Sequence, residues 1–105
     1  MDEYDEYRQI VREFLHDFAT DDPEAQLIFD SDRDRYLVMH VGWRGDYLIY
    51  GCTMQLDIID DEIWLLHNST EVVIDQEFIQ RGISRKDIVL GFRSPSIRER
   101  LAAGL

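Results

Sequence analysis

Tyr47-Leu48-Ile49-Tyr50-Gly51-Cys52-Thr53-Met54-Gln55-Leu56-Asp57-Ile58 is the stretch on which the fold turns. Leu48, Tyr50, Cys52, Met54, Leu56 and Ile58 occupy alternate positions, with Tyr47, Ile49, Gly51, Thr53, Gln55 and Asp57 between them. A period of two sustained this long predicts a single half-buried strand with the first set facing the core. Upstream, Leu37, Met39, Val41 and Trp43 alternate in the same way, predicting a second strand that buries its odd positions. Arg44-Gly45-Asp46 joins the two as a tight reversal.

Working outward, Ala25, Leu27 and Phe29 form a shorter alternating run closed by the polar turn Asp30-Ser31-Asp32-Arg33-Asp34. On the other side, Asp60-Asp61 turns the chain into Glu62-Ile63-Trp64-Leu65-Leu66-His67. Connections this short pair neighbours antiparallel, because a parallel crossover needs about a dozen residues. The middle of the chain is therefore a four-stranded meander, and one face of it must be covered.

The cover comes from the flanks. Tyr4, Tyr7, Val11, Phe14 and Phe18 recur at helical spacing, with Ile10 and Leu15 beside them. Asp2, Glu3, Asp5 and Glu6 suit a helix N-terminus, and Thr20-Asp21-Asp22-Pro23 ends the pattern. After the strands, Val73–Arg81 reads as a helix with Gly82 as its C-terminal cap. Ser84-Arg85-Lys86-Asp87 resembles a capping box, and Ile88-Val89-Leu90 forms either a short turn or a fifth, edge strand. Ser94-Pro95 opens a short helix through Leu101, leaving 102–105 as a loose tail. The expected fold class is α+β: an N-terminal helix, a four-stranded antiparallel meander and short C-terminal helices. Residues 1–105 make one domain.

Charge narrows the function. The chain carries 22 acids against 11 Lys+Arg, for a net −11. That argues against nonspecific nucleic-acid binding and against docking on an anionic membrane. The balance is uneven along the chain: residues 1–80 net −15 and residues 81–105 net +4. The basic residues Arg93, Arg98 and Arg100 are thus the candidates for a DNA or partner contact. Cys52 is the lone cysteine, which excludes an internal disulfide and a cysteine-built zinc site. No secretory signal or membrane span is readable, so a reducing cytoplasm is expected.

Catalytic signatures are missing. His16, His40 and His67 form no HxxxH or HExxH pair, and no metal or cofactor is expected. Asp57, Asp60, Asp61 and Glu62 lack the ladder and glycine of a calcium loop and read as a solvated turn. A restriction-like nuclease core carries an Asp/Glu-x-Lys triplet, yet the single lysine, Lys86, follows Ser84-Arg85. Neither a Gly-x-Ser-x-Gly elbow nor a phosphate-binding glycine loop is present. The aromatics Tyr36, Trp43, Tyr47, Tyr50 and Trp64 have no basic residues interleaved on the third and fourth strands, so packing or a subunit interface suits them better than base stacking. An enzyme would need His40, His67 and Glu71 to meet in one pocket.

Several short elements occur in a recognisable order: Gln26-Leu27-Ile28-Phe29-Asp30, Arg35-Tyr36, His40-Val41-Gly42-Trp43, Gly51-Cys52, Asp57-Ile58, Ile63-Trp64, His67, Thr70-Glu71 and Asp87-Ile88-Val89-Leu90-Gly91-Phe92. Together they resemble the XisI family, the small cyanobacterial fdxN-element excision controlling factors. The chain departs from the family's His-Asp-Gly-Thr-Glu-x-Gly with His67-Asn68-Ser69-Thr70-Glu71-Val72-Val73, and places Gln55 where a histidine is common. The resemblance implies a non-catalytic accessory role in programmed DNA excision of the heterocyst type. A separate site-specific recombinase then does the cutting and joining, and an XisH-like protein is the direct partner. It also marks His40, Gly42, Trp43, Gly51, Cys52, Trp64, His67, Thr70 and Glu71 as motif positions for interaction. A homo-oligomer is expected, because a small sheet with few helices leaves an aromatic face or an edge for another copy.

Overall fold

Tyr7, Val11, Phe14 and Leu15 line one side of the first helix and are all buried. That helix, α1 (Glu3–Ala19), lies across a sheet in a computed structural model that describes residues 3–102. Asp2, and residues 103–105 of the expected tail, fall outside the described residues. Ala102 itself closes the last helix.

The sheet has the order β1 (Ala25–Asp30), β2 (Arg35–Arg44), β3 (Tyr47–Ile59), β4 (Glu62–Asn68), β5 (Ile88–Val89). The first four strands form the antiparallel meander, and β5 joins β4 in parallel through Ile63↔Ile88 and Trp64↔Val89. Ile88 and Val89 of the apolar triplet after Asp87 are therefore an edge strand, with Leu90 just beyond it. Ser84 makes no side-chain cap; Arg85–Asp87 is a single 3-10 turn, and Asp87 instead accepts the Tyr7 hydroxyl at 2.6 Å.

Two expectations about strand faces are corrected. In β2 the even positions Tyr36 and Val38 are fully buried, whereas Leu37, Met39 and Val41 are half-buried and Trp43 is 63% exposed. In β3 the twelve-residue alternation is cut at Thr53. Val38 pairs with Met54 but Met39 pairs with Cys52, so Thr53 is an extra residue in a bulge. One extra residue inverts every side chain beyond it. Met54, Leu56 and Ile58 face the core, while Leu48, Tyr50 and Cys52 face away. A second irregularity leaves Leu66 unpaired in β4, which keeps Ile63 and Leu65 inward.

The core lies between the inward face of the sheet and the helices α1 and α2 (Ile74–Gln80). Phe78 of α2 is fully buried and meets Phe14 edge-on, with ring centroids 5.0 Å apart. Gly82 follows α2 at φ +107, a conformation that favours glycine, in keeping with its expected capping position. The final helix, α3, runs Pro95–Ala102. No described helix is long and apolar enough to cross a membrane.

The turns explain the acids only in part. Asp60 and Asp61 are exposed with φ of 51° and 64°, the geometry of a two-residue hairpin turn. Asp57 does not belong to that solvated turn: it is buried on the sheet, with Arg35 at 3.7 Å and the Gln55 amide at 3.3 Å. Asp34 is also buried, in the left-handed region at φ 53°. Its carboxylate accepts Arg8 Nε and Nη2 at 2.8 and 2.9 Å and the Tyr36 hydroxyl at 2.9 Å.

Burial first, and then the hydrogen bond to Asp34, push the Tyr36 hydroxyl up to about 12. A hydroxyl that ionises less readily in the folded state contributes stability present below its unfolded pKa near 10. That stability is lost as pH rises toward 12. The unfolding free energy from urea curves should therefore fall across this window, by at most about 1.4 kcal/mol per pH unit. In Tyr36→Phe this part of the slope should vanish.

Candidate functional site

β2 and β3 outrun their neighbours. β1 stops pairing at Ala25↔His40, and β4 stops at Met54↔Asn68. Among the described residues, two further backbone bonds follow, Val41 N–H to the Glu24 carbonyl at 3.1 Å and Ser69 N–H to the Thr53 carbonyl at 2.9 Å. Beyond them, Gly42–Arg44 and Tyr47–Gly51 form a two-stranded arm with neither outer edge paired among the described residues. Gly45, at φ +62, makes the tight turn at its tip. Trp43, Leu48 and Tyr50 lie on the face away from α1, and Tyr47 and Ile49 lie on the other. All five are exposed.

At the base of the arm, on the helix side, His40, Gly42 and Arg44 follow one another at alternate positions. Glu24 folds across Gly42, where a Cβ would collide with its carboxylate. Arg44 grips that carboxylate through Nη1 and Nη2 at 3.0 and 2.9 Å, and His40 Nε2 approaches it at 3.1 Å. The Arg44 hydrogen bonds hold the Glu24 carboxyl below the usual carboxylate range, and Glu24 in turn raises Arg44. Asp22 Oδ2 stands 4.0 Å from His40 Nδ1.

Asp22, Glu24 and His40 thus offer three ligand atoms within 4.8 Å of one another. The charge an ion would bring to Glu24 is already supplied by Arg44, in a two-pronged geometry that satisfies both oxygens. This cluster acts as a clamp fixing the α1–β1 connection to the arm. Sequence reasoning singled out His40 and Gly42 but missed Asp22, Glu24 and Arg44. The signal was there: a glycine inside a strand marks a close approach.

The other motif residues divide between the two sides of the sheet. Cys52 lies on the open face, donating its thiol to the Met54 carbonyl at 3.3 Å, and burial pushes that thiol up. It is a poor nucleophile at neutral pH. His67 is exposed on the open side, its Nε2 3.0 Å from the Cys52 carbonyl. His40 faces the helices, so the sheet lies between the two histidines, and the constellation His40, His67 and Glu71 is not assembled. Glu71 is exposed in the loop after β4. Thr70 serves that loop: its N–H and hydroxyl both donate to Asn68 Oδ1, at 2.9 and 2.6 Å, and the Asn68 amide donates to the Val72 carbonyl. Gly51 sits opposite His40 in the arm. His16 is exposed on α1, edge-on to Phe29 at 5.6 Å.

Trp64 is half-buried near the C-terminal segment. Gly91 packs against its indole, and the Arg98 guanidinium stacks 5.2 Å from its ring. Arg98 also donates to the Arg93 carbonyl at 2.7 Å, while Arg93 stacks on Phe92 at 5.1 Å. The three arginines therefore do not form one free row: Arg98 is turned onto the protein, and Arg100 stays exposed. A cleft of about 660 Å³ here is lined by Ile79, Arg85, Lys86, Ile88, Leu90 and Arg98, among others. A smaller one of about 370 Å³ lies between β4 and α2, with His67, Asn68 and Phe92 on its walls.

The profile of the XisI protein family matches residues 1–103. A XisI-like protein from Anabaena variabilis ATCC 29413 is 38% identical, with a TM-score of 0.87 over 93% of this chain and 94% of that one. The fdxN element excision controlling factor XisI from the same organism is 33% identical, with a TM-score of 0.76 over 92% of this chain and 99% of its own. No curated protein sequence matches the chain. A profile match over nearly every residue and two solved structures that are each at least 33% identical over more than nine-tenths of the chain show the kinship: this chain belongs to the XisI family.

Proposed function

We propose that this protein is a non-catalytic regulatory subunit controlling excision of a DNA element, acting through an XisH-like protein partner. The observation that carries the reading is the full-length likeness to a protein named as an fdxN element excision controlling factor. Charge supports a protein rather than DNA as the direct partner. Exposed acids line the outer side of α1 at Glu6, Glu13 and Asp17, and others fill the turns at Asp32, Asp60 and Asp61. An acidic surface of this kind complements a partner's basic DNA channel, speeds association and weakens with salt. The recombinase that cuts and joins is then influenced only through that partner.

The test is co-expression with an XisH-like protein and affinity capture over a salt series. Capture should be strong at low salt and fall as salt rises. No complex at low salt would refute the pairing. A second reading, direct DNA contact through the 81–105 segment, draws on Arg85, Lys86 and Arg98 lining one cleft. A gel shift by the protein alone, abolished when Arg93, Arg98 and Arg100 are changed to Glu, would replace the first reading with the second.

A further inference from the structure

We propose that the open face of the β2–β3 arm, centred on Trp43 and Tyr50, docks face to face on the same surface of a second copy of this chain. A two-stranded ribbon is marginally stable in water by itself, and three strands or a packed face are needed to hold one. Among the described residues, the arm beyond Gly42 has neither a third strand nor a covering helix on this side. Yet Trp43 is 63% exposed, Tyr50 69% and Leu48 43%. Leu37, Met39 and Val41 continue the apolar surface down β2 toward the body. Contiguous apolar surface of this size marks an interface rather than ordinary scatter.

Two observations select a second copy as the occupant. The first is charge. The chain nets −11, so two copies repel over most of their surface. The open-face positions Leu37, Met39, Val41, Trp43, Leu48 and Tyr50 carry no carboxylate, and Asp46 stands in the turn at the arm's tip. Arg35 and Asp57, on the same face, sit beside each other at 3.7 Å at the end far from the arm's tip. This is the surface through which two acidic chains meet without desolvating like charges, while a basic partner is drawn to the acids elsewhere. The second is area. With aromatic side chains worth 150–250 Å² each, the exposed part of this face comes to roughly 500 Å² per copy. A two-fold contact uses it twice, reaching the approximately 1,000 Å² that a specific interface needs. Two strand ribbons also stack face to face, as sheets do in a sandwich.

Light scattering on the full chain at high micromolar concentration tests this. Wild type should show twice the mass of the 105-residue chain and dissociate on dilution. Trp43→Glu and Tyr50→Glu should each weaken association by roughly a hundredfold, giving monomers with unchanged far-ultraviolet circular dichroism. Tyr47→Glu, equally exposed but on the arm's other face, should remain dimeric. Added salt should tighten the dimer by screening its acids, opposite to the expected behaviour of the XisH-like complex, so the two readings fail separately. A monomeric wild type overturns the proposal, as does a Trp43→Glu variant that still dimerises. A monomer that captures an XisH-like protein through Trp43 would assign this face to that partner instead.

Discussion

Phe78→Ala should lower the unfolding free energy by about 3–5 kcal/mol, read as a fall in the urea midpoint with little change in slope. Phe78 is fully buried, the one aromatic of the seven-residue α2, and it packs edge-on against Phe14 of α1. The substitution removes the ring and leaves a cavity that two helices and a sheet close only partly. A helix this short does not hold itself together through propensity, so its packing is what keeps it. Against a typical domain stability of about 5–15 kcal/mol, the loss is a large fraction. Phe78→Leu should recover most of it, because it restores volume without a polar group. A Phe78→Ala midpoint within error of wild type would mean that α2 does not seal the core as described.

Asp34→Ala should cost roughly 2–4 kcal/mol. The side chain holds two nitrogens of Arg8 and the Tyr36 hydroxyl, tying α1 to the turn between β1 and β2. Its backbone carbonyl also accepts the Ile58 N–H at 2.9 Å, so the same residue links that turn to β3. Alanine strips the carboxylate from a buried hydroxyl and must also sit at φ 53°, where a Cβ without a polar side chain is disfavoured. Asn tolerates that conformation and keeps an acceptor, so Asp34→Asn should fall between Ala and wild type. Asp34→Gly removes the strain but not the loss of partners. The order Asn, then Gly, then Ala, from mild to severe, separates the two contributions in denaturation curves. Ala and Gly losing nothing would show the network to be dispensable.

The candidate site was legible in pieces. His40-Val41-Gly42-Trp43 and Gly51-Cys52 stand out in the sequence as motif elements, and they do meet at the base of the arm. Their division of labour was not legible. Gly42 admits the Glu24 carboxylate, which comes from a segment 18 positions earlier and arrives only because β1 pairs with β2. Trp43, next to it, points the opposite way. Trp64, similarly marked, became a partner of Arg98 and Gly91 when the C-terminal segment folded against β4 and β5. The basic segment read from charge alone as a DNA contact proved partly committed to that packing.

By itself the sequence determined the periods, the turns and hence the antiparallel order, because alternation and turn chemistry are local. It also placed α1 by its apolar stripe and the close of α2 by Gly82. What only the tertiary structure decided was which face each strand buries. An alternating strand carries two sets of residues, and a bulge exchanges them at one residue, as at Thr53. Whether a bulge forms depends on the partner strand, which no local pattern records. Length decided the rest. The 17 residues of α1 span roughly 25 Å at helical rise, while the 13 of β3 extend roughly 43 Å. A helix that short does not cover a strand that long, and so Tyr47 and Ile49, on the helix side of that end, are left bare, while Trp43 and Tyr50 face away from α1 altogether.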